Sequence, residues 1–582
     1  MLKRVLSLLI VLTMVLSLTV GCTKPAPAPA PEGPSEETPG EEPAPEQPAG
    51  SSDFLVWNMT VDPQTWDPTL NSAVDGSHII NNIFDGLTRE TPNGIEAASA
   101  ESWEVSEDGM TYTFKLREGL KWSDGQPLTA KDFEYGWKRA CDPATASEYS
   151  FIVTSYLVGG EEYFNGTGSR DEVGVKALDD TTLEVKLKFP VPYFLSLTSF
   201  PTYSPIREDI VLAKGEGWEK DPATCISNGP FKLTEYKTGS HITLEKNEHY
   251  WDAANIKLAG ITGLMINEGT TALNGYEKGE IQVMDGITAD RIPQLLKEDP
   301  NFKIYPQLGT YYIIFNTDDE VFNNPLVRKA FAIAIDRRQF VEQVTKGGQM
   351  PATGFLAPSL FKSDGTSFRQ LDADGQPLPE YGIDPNKALV DEAKALLAEA
   401  GYPNGEGLPK LTFLYNTNDN NKKIAEALQG IWKQNLGIDV EIKNEDWAVF
   451  QETRRTGQFN FARGGWIGDY GDPMTLLDLF TSNSGNNDPQ WRYKLEPVVA
   501  PHDDKLNPDQ EAFDKAIYAS REATGAERDK LLLEAEAVLM DNMVVAPLYW
   551  YTMTTIVDES VVEGVALTST TKWDFRHAEI IR

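Results

Sequence analysis

Between Pro325 and Ile442 the spacing of apolar residues switches from a period of three or four to a period of two, and this constrains the fold more than any other feature. Pro325 opens an apolar-periodic helix expected to run through Ala330, Ile333, Ala334 and Phe340. Asp384 as N-cap, Pro385 in the first turn and Gly401 past the end bound a second helix. A third, over 422–436, is followed by Gly437 and by strand alternation at Ile438, Val440 and Ile442. Helices and strands interleaved in this way pack as α/β layers. Upstream, Tyr112, Phe114 and Leu116 alternate with Thr111, Thr113 and Lys115 as in a half-buried strand, with turns at Asp108-Gly109 and Asp124-Gly125. Thr129 and Asp132 form a capping-box variant for a helix that carries Phe133 and Trp137 on one core-facing side. Val175 to Leu187 reads as a hairpin around Asp179-Asp180-Thr181-Thr182. With 582 residues the chain exceeds one core, so two or three lobes are expected.

The N-terminus has the pattern of an export signal. Lys3 and Arg4 precede an apolar stretch from Val5 to Val20, shorter than a comfortable membrane span, which ends at Gly21-Cys22. Residues 23–50 are almost all Pro, Ala, Glu, Gly and Ser, too poor in apolar groups to offset chain entropy, and are expected to form a disordered, Pro-stiffened tether. At ~3.1 Å per residue it would reach about 90 Å. A formal charge of -36 describes a solvated acidic surface and excludes nucleic acid as a partner, since that binding rests on Lys and Arg neutralising phosphates. Apart from Cys22 the cysteines are Cys141 and Cys225, which either pair in an oxidising exterior or pack as two buried thiols.

One segment reads as recognition hardware: Arg463-Gly464-Gly465-Trp466-Ile467-Gly468-Asp469-Tyr470-Gly471-Asp472-Pro473, preceded by Trp447 and by Arg454-Arg455. Glycines let backbone approach a ligand, while a cation, a wide aromatic and a carboxylate are offered together. Such a set suits a zwitterion: Asp469 for an ammonium, Arg463 for a carboxylate, Trp466 as a wall. Read without its flanks, Asp469 is a loop-capping Asp, Trp447 is core, and Arg463 neutralises Asp469.

The run closely resembles the segment with which oligopeptide-binding proteins of ABC importers, within extracellular solute-binding protein family 5, hold the peptide N-terminus. Similar in order and spacing are Ala100-Glu101-Ser102-Trp103, Lys121-Trp122-Ser123-Asp124-Gly125, Asp142 to Ser147, Gly174 to Asp180, Tyr415-Asn416-Thr417 and Trp432 to Gly437. The resemblance implies an α/β, periplasmic-binding-protein-like (class II) fold, with two ligand-enclosing lobes joined by a hinge and an extra third domain. It places domain I at 51–84, 208–309 and 553–582, domain II at 85–207 and domain III at 310–552, after a signal peptide (1–21) and a tether (22–50). It implies lipidation of Cys22, which would anchor the protein to the outer face of the bacterial cytoplasmic membrane. The expected ligands are short peptides, and the expected partners are ABC permease subunits with cytoplasmic ATPases; the protein would act as a monomer without a cofactor or metal. The implied ligand-binding residues are Asp469, Arg463, Trp466, Gly465, Ile467, Arg454, Tyr149, Tyr551, Trp447 and Asn421. The chain departs from the enteric receptors at Ser72 and Ile314, near positions where they have acids, at Asn421, where they have histidine, and at Ile467, which replaces one member of a cysteine pair.

Other classes are weaker. The five histidines, His78, His241, His249, His502 and His577, fall in no catalytic motif, and there is no Gly-x-Ser-x-Gly elbow, so an exported hydrolase is disfavoured. Ser359-Leu360-Phe361-Lys362 lacks the companion motifs of Ser-x-x-Lys enzymes, and Asp372-Ala373-Asp374-Gly375 is too short for a calcium loop. A same-fold receptor for a metal chelate or another solute, and a sensor of a signalling peptide, remain as alternatives.

Overall fold

The computed structural model describes residues 54–482, 484–492, 507–568 and 570–581. The expected signal peptide, Cys22 and the expected tether lie outside them. The elements form a mixed α/β fold built on an eleven-stranded sheet. Two long antiparallel strands, Phe302–Phe315 and Val545–Val557, run through its middle. At one end Val545–Val557 pairs with Val283–Asp285, beyond which lie Phe54–Asn58, Gly260–Leu264, His241–Lys246 and Phe231–Lys237. At the other end Phe302–Phe315 pairs with Phe461–Ile467, followed by Leu411–Asn416 and Val440–Glu445. The ladder between the long strands breaks register between Pro306 and Thr310. Pro306 has no N–H to donate there, and a Cβ on Gly309 would fall 2.5 Å from the Trp466 carbonyl oxygen.

A separate four-stranded antiparallel sheet contains Ala100–Val105, Thr111–Leu116, Thr182–Lys186 and Val175–Ala177, in that order. The expected alternation holds, with Tyr112, Phe114 and Leu116 buried. So does the capping box: the Thr129 N–H donates to the Asp132 carboxylate at 2.7 Å, and the helix Ala130–Ala140 buries Phe133 and Trp137. The hairpin turn is fixed by Asp179, which accepts from the Thr181 N–H at 2.9 Å.

The third helix, Asp419–Leu436, starts three residues earlier than expected because the Asn418 side chain caps it, accepting from the N–H groups of Asn420 and Asn421. It ends at Gly437, whose φ of 77° is the left-handed geometry that favours glycine there. Its Trp432 is fully buried among Phe331, Phe413 and Phe461.

Two helices differ from expectation. The one from Pro325 ends at Ile333, and Asp336 caps a new short helix, Arg337–Phe340, by accepting from the Gln339 N–H. The buried Arg337 guanidinium takes up the carbonyls of Ala332, Ile335 and Pro547 near that break, so a polar side chain interrupts what apolar spacing alone continues. Asp384 and Pro385 do not start the second helix, which spans Val390–Glu399. Asp384 accepts from the Asn386 N–H and forms a turn, while the Pro385 carbonyl accepts from Arg338 N–H. Cys141 and Cys225 are free and buried, so of the two sequence readings packing thiols hold, and burial pushes both thiols up to about 12. Among the described residues, no helix is long and apolar enough to cross a membrane.

Candidate functional site

The strand Phe461–Ile467 is hydrogen-bonded on both sides, to Phe302–Phe315 and to Leu411–Asn416. Successive side chains therefore point to opposite faces of a fixed ribbon. Arg463 and Gly465 share one face with Tyr311, Tyr549 and Tyr551. The Tyr311 ring stacks on Tyr549 at 4.9 Å, and Tyr551 meets both rings edge-on. Glycine at 465 lets these side chains approach closely: a Cβ there would sit 2.4 Å from the Tyr551 hydroxyl and 2.9 Å from a terminal nitrogen of Arg463, so one of them would have to shift.

Arg463 is held from several directions. Its Nε donates to Asn416 Oδ1 at 2.8 Å, and Asn421 Nδ2 donates to the same oxygen at 2.9 Å. The Tyr311 hydroxyl donates in turn to Asn421 Oδ1 at 3.3 Å. The guanidinium lies 5.5–5.8 Å from the rings of Phe450, Trp447 and Tyr311. No carboxylate among the described residues is within ion-pair distance of it. Trp447 stacks against Phe450 and is 53% exposed, so it is not a core residue. Arg454 is half-buried in this cluster, over the Phe450 ring, with its guanidinium 3.2 Å from Asp488 and bonded to Gln451. Burial, with Arg463 as a neighbouring cation, lowers its pKa despite that pair, and burial raises the carboxyl of Asp488.

A second cluster forms just past the end of the strand. Trp466, Asp469 and Tyr470 line a cavity of ≈ 20 Å³ with Phe151, Tyr156 and Asp478, room for about one water. The Asp469 N–H donates to Thr475 Oγ1 at 2.8 Å, and its carboxylate accepts from the Tyr149 hydroxyl at 3.2 Å. Tyr149 is itself stacked on Phe200. Asp469 keeps some accessible surface although protein surrounds it closely, as at the wall of an internal cavity. Burial pushes its carboxyl up to about 7; Lys572 draws it down, Asp478 pushes it further up, and the Tyr149 bond favours the ionised form. Asp478 is likewise raised to about 7 by burial, with Arg521 opposing. Asp469 has no lysine or arginine within ion-pair distance among the described residues. The cluster continues through Tyr156, whose hydroxyl is 3.3 Å from those of Tyr193 and Tyr470, and through the stacked rings of Tyr193 and Tyr470.

The structure thus divides the residues expected to act together. Arg463, Gly465, Tyr551, Asn421 and Trp447 form one group; Trp466, Asp469 and Tyr149 form another. Arg454 is committed to Asp488, and Ile467 lies half-buried opposite Gly309. Arg463 is not the neutralising partner of Asp469; the cation acting on that carboxylate is Lys572, a residue without any sequence signal. Asn416, Tyr311, Tyr470 and Tyr549 were not expected in the site, although Asn416 and Tyr470 lie within motifs given above and Tyr549 is two residues from Tyr551. Asp478 was not foreseeable, because only the fold brings it beside Asp469.

The model of the bacterial extracellular solute-binding proteins, family 5, matches residues 94–488. The chain belongs to this family. It is 38% identical to the oligopeptide-binding protein OppA of Bacillus subtilis over 532 residues, covering 90% of this chain and 91% of that one. Among solved structures it resembles Haemophilus influenzae OppA in complex with RPPGFSPFR, at 31% identity and a TM-score of 0.76, covering 91% of this chain and 99% of that one. It also resembles the murein tripeptide binding protein MppA of Escherichia coli, at 31% identity and a TM-score of 0.78, covering 91% and 98%. This α/β binding-protein fold and family membership make the chain a solute-binding protein and not an enzyme.

Proposed function

We propose that this protein captures short peptides in a closing cleft and delivers them to an ABC permease, tethered to the outer face of the cytoplasmic membrane by a lipid on Cys22. One observation carries the peptide reading: Asp469 is an enclosed carboxylate with a hydroxyl donor but, among the described residues, no ion-pair partner. A peptide ammonium would bind this carboxylate through a charge-assisted hydrogen bond. Arg463, whose terminal nitrogens no carboxylate among the described residues claims, receives a ligand carboxylate beside Tyr551 and Trp447, while Tyr149 and Trp466 wall the space at Asp469. The relatives named above are described as binding peptides, which supports the same ligand class.

On this reading the lobes close about the two long strands, with the register break between Pro306 and Thr310 as the flexing point. Domain I then comprises 51–84, 208–309 and 553–582, domain II 85–207 and domain III 310–552. Tyr149 from domain II reaches Asp469 from domain III, so a ligand held there rewards closure with contacts from more than one lobe. Native mass spectrometry of gently isolated protein tests the proposal. Co-purified short peptides support it; a metal chelate or a sugar in their place rejects it.

A further inference from the structure

Resting on the peptide reading, we propose that Asn416 is a positioning residue that aims Arg463 and thereby makes its subsite select a carboxylate. Asn416 ends the strand Leu411–Asn416 and faces Arg463 from the neighbouring strand. Its Oδ1 is shared by Arg463 Nε and Asn421 Nδ2, at 2.8 and 2.9 Å.

The direction of each amide follows from the chain of bonds. The Tyr311 hydroxyl donates to Asn421 Oδ1, which turns the Asn421 NH₂ toward Asn416. That NH₂ needs an acceptor, so Asn416 presents its oxygen, and the same oxygen holds Arg463 by Nε. A guanidinium gripped at Nε keeps its plane fixed and leaves its two terminal amino groups as a free fork, the geometry that matches a carboxylate. The acceptor is neutral, so the positive charge stays available to a ligand. An aspartate would grip equally well and cancel that charge. The asparagine therefore supplies orientation without neutralisation, which is what a ligand-reading arginine needs from its support. The Tyr311 and Tyr549 rings pack against this assembly and resist reorientation of Arg463.

The chemical group selected is a carboxylate, from either the peptide C-terminus or an acidic side chain. Calorimetry on the full-length protein would compare trialanine with trialanine amide, and Ala-Glu-Ala amide with Ala-Gln-Ala amide, on wild type and on N416D and N416A. The wild type should prefer the acid member of at least one pair by roughly tenfold; which pair shows it identifies the source. N416D should bring that ratio to within about threefold of one by weakening the acid member more than the neutral one. N416A, which frees Arg463 without adding charge, should lower the ratio to an intermediate value and carries the test alone if N416D fails to fold. An undiminished ratio in the variants overturns the inference, and so does equal weakening of acid and neutral members, which marks a merely structural role. Peptide binding by wild type without acid preference removes this inference alone. Absence of all peptide binding removes the peptide reading as well.

Discussion

Peptide capture should be linked to a proton. Asp469 has its carboxyl raised to about 7, chiefly by burial, and must be ionised to pair with an ammonium. The groups facing it are Tyr149, Asp478 and Lys572, and none of them supplies a close cation. If the bound carboxylate stays ionised, each pH unit below about 7 weakens binding by about tenfold, so that at pH 5 affinity is roughly fiftyfold below its maximum between about pH 7 and 8; above that it falls again as the peptide amine loses its proton. At pH 6 capture should expel close to one proton, measurable by calorimetry in buffers of different ionisation enthalpy. Stability of the unliganded protein should move in the opposite direction. The raised carboxyls of Asp469 and Asp478 make the folded state bind more protons than the unfolded chain between about pH 4 and 7, so stability falls as pH rises through that window. D469N should flatten the pH dependence of binding and leave the Asp478 part of the stability profile. Affinity that is constant from pH 5 to 8, with no proton release, would refute the reasoning.

The remaining predictions concern packing and fit. Trp432→Ala removes a fully buried indole from contact with Phe331, Phe413 and Phe461, and should cost about 3–5 kcal/mol in urea unfolding. Thr129→Ala deletes half of a reciprocal cap and should cost about 1 kcal/mol by the same measurement. Gly465→Ala places a methyl 2.4 Å from the Tyr551 hydroxyl, so peptide affinity should fall while the fold persists by circular dichroism, and adding Tyr551→Phe should restore part of the loss.

Local features that depend on neighbours in sequence were legible. The strand at Thr111–Leu116, the Thr129 cap and the Gly437 stop each follow from a few adjacent side chains. The helix from Pro325 was overextended because the apolar positions continue past Ile333, whereas the break depends on Arg337 reaching the distant Pro547 carbonyl. Likewise Asp384-Pro385 has the composition of a helix start, yet a bond from Arg338 engages the Pro385 carbonyl in another arrangement. In the site, Arg463, Trp466 and Asp469 were legible as chemistry but not as geometry. Strand pairing sends Arg463 and Trp466 to opposite faces, and pairing is set by segments over a hundred residues away. Lys572 and Asp478 act on Asp469 through folding alone, and no local pattern encodes that.

Calorimetric comparison of one peptide with its N-acetylated form tests the central claim most directly, because acetylation deletes the ammonium and leaves the remaining chain in place. The wild type should lose several kcal/mol of binding, of the ~2–5 kcal/mol order for removing one partner of a buried charge pair, and D469A should scarcely distinguish the two forms. Equal affinity of the wild type for free and acetylated peptide would contradict the assignment of Asp469 as the ammonium receptor.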